Sequence, residues 1–230
     1  MSNMLTHAQE SLIRSLQTKK GRTESGFCLV EGEKNVAEAK EFIEFTFTPQ
    51  DSIKFEQLVS TETPQAFAAV ARIPFPEFSD IKASKLIVVL DGVQDPGNVG
   101  TILRLCLGFN AALVLIESAD PSNPKVVRAS AGAFFKVPWL EIKRELAVEK
   151  IAELKGTIFR LENNKKAELL DKKFSFPKKE KIIIIAGSEG QGISLLLKGK
   201  SLAIAHDKKL ESLNVAVALA IVLNTIYLSK

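Results

Sequence analysis

Residues 86–100 read Leu86-Ile87-Val88-Val89-Leu90-Asp91-Gly92-Val93-Gln94-Asp95-Pro96-Gly97-Asn98-Val99-Gly100, and Thr101-Ile102-Leu103-Arg104 follows. The opening five residues are apolar without alternation, the pattern of a strand covered on both faces of a parallel sheet. Two glycines and a proline then set a tight backbone path into a helix that carries Asn98 at its amino end and Arg104 one or two turns in. An amide and a guanidinium so placed can face a polar ligand, although each has a plainer use, Asn98 as a helix cap and Arg104 as a surface charge. Asn110, after Phe109, is placed to end this helix in a left-handed turn.

The same signature recurs at residues 112–116, 157–161, 182–185 and 202–205, short apolar runs separated by helical segments. An α/β domain with a parallel sheet is predicted, its ligand lying beyond the carboxyl ends of the strands. Upstream the rhythm differs. Leu5, Leu12, Ile13 and Leu16 approximate a helical period before the chain turns through the basic residues 19–22. Residues 27–30 predict a short buried strand and 32–42 a helix, while Ile43, Phe45 and Phe47 alternate with polar neighbours as in a half-buried strand. Thr63 and Pro64 ahead of Ala66, Phe67, Ala69 and Val70 read as a further helix start. Residues 73–84, with Pro74 and Pro76, break the periodicity and form the expected linker. This divides the chain into a small α/β domain over 1–80 and the main α/β domain over 81–230.

Hydrophobic residues make up 46% of the 230, enough to bury one large core or two smaller ones, and 13 Gly with 9 Pro exclude a collagen-like or disordered chain. The formal net charge of +4 is unevenly placed. Lys19, Lys20 and Arg22 sit together, and Lys165, Lys166, Lys172, Lys173, Lys178, Lys179 and Lys181 crowd a later stretch. Such clusters can neutralise phosphates, though solvated loop charge is their commoner use. Cys28 and Cys106 lack the spacing of a zinc site or a disulfide framework, so reduced core cysteines and no metal are expected. Residues 213–228 are the most apolar, yet Asn214, Asn224 and Thr225 interrupt them and they fall short of the roughly 20 residues a bilayer needs. A buried helix is expected there, and no membrane. Polar residues throughout 1–17 show no signal-peptide pattern, so the expected location is the cytoplasm.

Two further loops carry polar chemistry. Ala186-Gly187-Ser188-Glu189-Gly190-Gln191-Gly192-Ile193-Ser194 lets backbone approach a ligand closely, with Glu189 able to hold a guanidinium or a ribose hydroxyl. Its glycine order matches neither the dinucleotide fingerprint nor a P-loop, which disfavours a nucleotide-dependent oxidoreductase. Ala205-His206-Asp207-Lys208-Lys209-Leu210-Glu211-Ser212-Leu213-Asn214 leads into the closing helix, which Ser212 or Asn214 could cap. His206 beside Asp207 reads as a surface residue without a second histidine for metal or relay geometry.

The order and content of the three loops resemble motifs 1, 2 and 3 of the SpoU/TrmH group of the SPOUT superfamily. Pro96, Asn98-Val99-Gly100 and Arg104 match the first motif, Gly187-Ser188-Glu189-Gly190 with Gly192 the second, and Ser212-Leu213-Asn214-Val215 with Val217-Ala218 the third. Pro124-Lys125-Val126-Val127-Arg128-Ala129-Ser130, with Gly132, is similar to the group's intermotif helix. Phe27, Val30-Glu31-Gly32 and Lys19-Lys20-Gly21-Arg22 resemble its amino-terminal substrate-binding domain, which is similar in fold to ribosomal protein L30e.

The resemblance implies a carboxyl-terminal trefoil-knotted methyltransferase domain, S-adenosylmethionine as cofactor, and methylation of a ribose 2′-hydroxyl in structured RNA, ribosomal before transfer RNA. It places Gly187, Ser188, Gly190, Ile204, His206 and Leu213 at the cofactor, and Arg104, Asn98, Glu189, Ser212 and Asn214 in the catalytic site. Lys19, Lys20, Arg22, Lys125 and Arg128 are implied to meet RNA, and the closing helix to pack a homodimer whose sites use both subunits. Arg104 is implied to remove the hydroxyl proton or to orient phosphate; because arginine is ordinarily protonated, the first role needs strong local help. Two positions depart from the group's pattern. Ala205-His206 stand where Pro-Met usually follows the isoleucine, which is expected to reduce cofactor affinity, and Leu105-Cys106 replace Thr-Ala on an apolar face. A non-catalytic RNA-binding module on the same fold is therefore the alternative function.

Overall fold

The computed structural model describes residues 4–60, 65–164, 166–171, 174–207 and 209–229. The chain begins with α1 (His7–Ser15), α2 (Lys19–Ser25), β1 (Phe27–Glu31), α3 (Glu33–Glu38), β2 (Ile43–Phe47), α4 (Phe55–Leu58) and β3 (Ala68–Arg72). It continues through α5 (Phe78–Ala83), β4 (Leu86–Asp91), α6 (Pro96–Phe109), β5 (Ala112–Ile116), α7 (Pro124–Ala129), β6 (Trp139–Glu141) and α8 (Arg144–Glu153). Then come β7 (Thr157–Leu161), β8 (Glu168–Leu170), β9 (Ile182–Gly187), β10 (Lys200–Ile204) and α9 (Val215–Leu228). The residues fall into two compact units: those up to Phe75 with Asp120–Lys136, and Pro76–Ala119 with Val137 onward.

The first unit holds a three-stranded antiparallel sheet in the order β1-β3-β2. Its core joins Ile13 and Leu16 to Leu29, Phe47, Phe55, Leu58 and Val70. The structure departs from two local expectations. Residues 66–70 suggest a helix, but β3 is the central strand, with Ala68, Ala69, Val70 and Ala71 buried, because small side chains fit between two flanking strands. Thr63 and Pro64 lie outside the described residues. Residues 19–22 are not a turn but open α2, which Thr18 caps through the Gly21 N–H at 3.0 Å and Gly26 ends at φ 73°. The unit also takes in Asp120–Lys136, and its boundary in the first part of the chain falls at Phe75, inside the expected linker, of which Phe78–Ala83 is helical. A boundary drawn along the sequence has no means of assigning a segment that returns from a later part of the chain.

The second unit holds a seven-stranded sheet in the order β6-β5-β4-β9-β7-β10-β8, all pairings parallel. The apolar runs at 86–90, 112–116, 157–161 and 182–185 are strands as expected, and the fifth starts at Lys200 rather than Leu202. β6 and β8 are three-residue edge strands, too short to give a periodic signal. Ile87 and Val89 share a core with Ile81 of α5, Ala147 and Ile151 of α8, and Leu154 just after it, and the two-residue strand period turns Val88 and Leu90 to the other face. α6 packs against α9, and α9 against β9. The register sets Asp91 opposite Gly187 and Ile116, so the carboxyl ends of β4, β5 and β9 are level. No helix among the described residues is long and apolar enough to cross a membrane.

Candidate functional site

Three loops leave the carboxyl ends of the sheet and meet at one polar chain. Asp95, not Asn98, caps α6, its Oδ1 accepting the Asn98 N–H at 2.7 Å. The Asn98 side chain is thereby released from capping. Asn214 caps α9, its Oδ1 accepting from Ala216 N at 2.9 Å and Val217 N at 3.3 Å. With that oxygen committed to backbone donors, the Asn214 amide nitrogen faces outward and donates to Asn98 Oδ1 at 2.9 Å. Asn98 Nδ2 in turn donates to Glu189 Oε1 at 2.7 Å. One direction of donation runs from the third loop through the first to the second, and Glu189 Oε2 accepts no hydrogen bond among the described residues.

The glycine-rich loop has its own reasons for glycine. A Cβ on Gly187 would lie 2.1 Å from the Gly192 carbonyl, and Gly192 adopts φ 66°, closing a turn in which Gly192 N donates to Ser188 O at 2.9 Å. Gly190 meets no such demand: a Cβ there would have nothing within 4 Å. A cleft of about 380 Å³ borders this loop, with Asp91, Glu117, Arg144, Glu189 and Gly190 in its wall. The Asp91 side chain is fully buried and accepts the N–H groups of Ser194 and Leu195, both at 2.7 Å, while Arg144 Nη2 donates to it at 2.7 Å. Hydrogen bonds to Glu117 and Asp91 hold the Arg144 proton more tightly than usual. The sequence reading missed Asp91, Arg144 and Ser194. Asp91 could have been suspected as a lone carboxylate ending an apolar run, whereas nothing local marks Arg144, whose partner is 53 residues away.

Not every expected residue joins the chain. Arg104 is exposed, has no hydrogen bond or ion pair among the described residues, and sits six residues beyond Asn98 on α6, about 9 Å along the axis and on another face. Ser212 is exposed and likewise unbonded, and Leu213 is half-buried. Ser188 Oγ accepts the Gln191 N–H at 3.2 Å. His206 Nδ1 lies 2.8 Å from the Ile204 carbonyl, and facing an acceptor it must carry the ring proton. Lys208 lies outside the described residues, as do Lys165, Lys172 and Lys173.

Of the expected RNA contacts, Lys19, Lys20 and Lys125 are exposed, and Lys20 pairs with Glu24 at 3.8 Å. Arg22 is different. Its side chain is 3% exposed, ion-paired with Asp120, and bonded to Ser122 Oγ at 3.1 Å and Leu16 O at 2.7 Å. It cannot serve as a surface charge, because burial with a fixed counterion uses its donors internally. Arg128 is half-buried and bonded to Glu31 Oε2 at 3.2 Å and Ser60 Oγ at 3.3 Å.

Residues 85–224, which contain the three loops, match the family model of the SpoU rRNA Methylase family. The chain belongs to this family. A relative, the 23S rRNA (guanosine(2553)-2′-O)-methyltransferase RlmP of Bacillus subtilis, is 31% identical over 90% of this chain and 91% of its own. The 23S rRNA (adenosine(1067)-2′-O)-methyltransferase of Streptomyces azureus is 31% identical over 76% of this chain and 66% of its own. Among solved structures, a TrmH-family protein of Porphyromonas gingivalis superposes with a TM-score of 0.80 at 30% identity, covering 97% of this chain and 98% of that one. An AdoMet-bound rRNA methyltransferase of Sinorhizobium meliloti, 24% identical, shares the fold with a TM-score of 0.82 over 97% of this chain and 95% of that one. The SpoU/TrmH resemblance of the three motifs is thus confirmed over the parallel-sheet unit, and the relatives extend it over most of the chain.

Proposed function

We propose that this SpoU-family protein transfers a methyl group from S-adenosylmethionine to the ribose 2′-hydroxyl of a ribosomal RNA nucleotide. The observation that carries the reading is the Asn214–Asn98–Glu189 chain, which draws the three motif loops to one point beyond the strand ends. Both named relatives above are 2′-O-methyltransferases of 23S rRNA.

The cofactor's fit can be judged on the loops themselves. Gly187 and Gly192 are required by the turn, but Gly190 is not, and its missing side chain leaves backbone open to a ligand. Gly187, Ser188, Gly190, Ile204, His206 and Leu213 would hold S-adenosylmethionine, which supplies an electrophilic methyl group on a sulfonium sulfur. A ribose hydroxyl is a weak nucleophile and must be oriented as well as deprotonated. The open Glu189 Oε2 accepts the hydroxyl hydrogen, while Asn98 fixes that carboxylate through its other oxygen. Ser212 and Asn214 border the ribose. Arg104, which has no partner among the described residues, binds the RNA phosphate.

Because Arg104 stands apart from the polar chain, the complete site is formed in a homodimer, each copy lending its Arg104 to the other. The apolar residues Leu107, Val217, Ile221 and Leu228 exposed on α6 and α9 support such a face. The sheet unit is a trefoil-knotted methyltransferase domain, and the first unit is an L30e-like RNA-binding domain in which the exposed Lys19, Lys20 and Lys125 add phosphate affinity, while Arg128 is engaged by Glu31. Calorimetry with S-adenosylmethionine, followed by transfer of its labelled methyl group to 23S rRNA and mapping of 2′-O-methyl positions, tests the reading. Ribose methylation at one nucleotide is the expected result. RNA binding without cofactor binding would instead identify an RNA-binding module.

A further inference from the structure

Beyond Gly192 the chain runs to Lys200 before it rejoins the sheet, so side chains must hold this stretch. Asp91 holds the Ser194 and Leu195 N–H groups from one side. Arg160 Nη1 holds the Leu195 and Leu197 carbonyls, at 2.9 and 2.8 Å, from the other. A fully buried carboxylate is stable in this role only beside a counterion. Arg144 is that counterion, and all three of its nitrogen groups are used: Nη2 on Asp91, Nη1 on Ser194 Oγ at 2.9 Å, and Nε on Glu117.

We infer that Arg144, acting through Asp91, is a positioning residue that sets the height of the glycine-rich loop and so the place of Glu189 and of the cofactor-facing backbone. Its three donor groups are committed to Asp91, Ser194 and Glu117. The inference rests on the proposed use of this loop for S-adenosylmethionine. Removing the guanidinium leaves Asp91 charged and buried, and the carboxylate then draws in water or turns away from Ser194 and Leu195. Arg160 still ties the loop to β7, so the loop shifts rather than detaches.

Arg144→Ala, Arg144→Lys and Glu117→Gln in the full-length chain test this with three readouts: S-adenosylmethionine affinity by calorimetry, amide exchange over residues 188–195, and RNA affinity. Arg144→Ala is expected to weaken cofactor binding about tenfold, the scale of one lost charge-assisted hydrogen bond, to speed exchange at Ser194 and Leu195, and to leave RNA affinity within about twofold. Arg144→Lys should recover part of the loss, since an ammonium offers a point charge in place of the fork. Glu117→Gln should stay near wild type, because Glu117 is exposed. Unchanged cofactor affinity in Arg144→Ala, or a loss without faster exchange in the loop, would overturn the inference. If Arg144→Ala does not fold, Arg144→Gln with Arg144→Lys gives the same comparison. Failure of the wild-type chain to bind S-adenosylmethionine would count against the proposed function, while the exchange measurement would still decide whether Arg144 holds the loop.

Discussion

Asn214 donates to Asn98 at 2.9 Å across 116 residues of sequence, and the same Asn214 caps α9 with its oxygen. One amide thus links a helix terminus to the polar chain that ends at Glu189. Asn214→Ala should remove both functions, lowering stability by about 1 kcal/mol through the lost cap and methyl transfer by at least about tenfold. Asn214→Asp keeps the capping oxygen and loses the donor. It should restore most of the thermal stability but not the single-turnover rate, and recovery of both would show that the bridge to Asn98 is incidental.

Arg104→Ala should separate chemistry from cofactor binding. Loss of a charge-assisted contact made to the RNA is expected to slow single-turnover transfer by about a hundredfold, with S-adenosylmethionine affinity little changed. A parallel loss of both would place Arg104 at the cofactor.

His206 uses its Nδ1 proton on the Ile204 carbonyl, the backbone that the proposed site turns toward the cofactor. His206→Met removes this donor and should tighten S-adenosylmethionine several-fold, within the roughly tenfold that one hydrogen bond can supply. Weaker binding on calorimetry would mean that the His206 side chain, and not only its backbone, contacts the cofactor.

Arg22→Ala should act on stability, costing about 3 kcal/mol as Asp120 is left without its buried counterion. Burial alone would push the Asp120 carboxyl up, but hydrogen bonds from Arg22 and Ser122 and the Arg22 charge outweigh it and hold the group below its ordinary range. The folded value being the lower one, this contribution is complete above about pH 4 and disappears as the pH falls through the depressed value. Urea unfolding of the wild type should therefore lose more stability on acidification than Asp120→Asn does.

Sedimentation at micromolar concentration should show a dimer, and Ile221→Lys on the exposed face of α9 should convert it to monomer and abolish methyl transfer. A monomeric wild type that methylates RNA would remove the proposed dimeric site.

Much of this was legible in the residues themselves. Unbroken apolar runs marked the central strands because a parallel sheet covered on both faces imposes that pattern, and Asn110 after Phe109 marked the left-handed end of α6 at φ 54°. The order and content of the three loops that carry Asn98, Glu189 and Asn214 resembled the SpoU motifs. What the linear chain could not express is which side chains meet. Local rules made Asn98 a cap, a task that falls to Asp95, and made Arg22 a surface charge, although Asp120 returns from 98 residues away to bury it. Edge strands of three residues leave no period to detect. Asp91 and Arg144 belong to the same class. Their partnership arises from strand order and loop path, and only the tertiary structure, by placing the ends of β4 and β9 beside the start of α8, brings an isolated carboxylate and an unremarkable arginine within 2.7 Å.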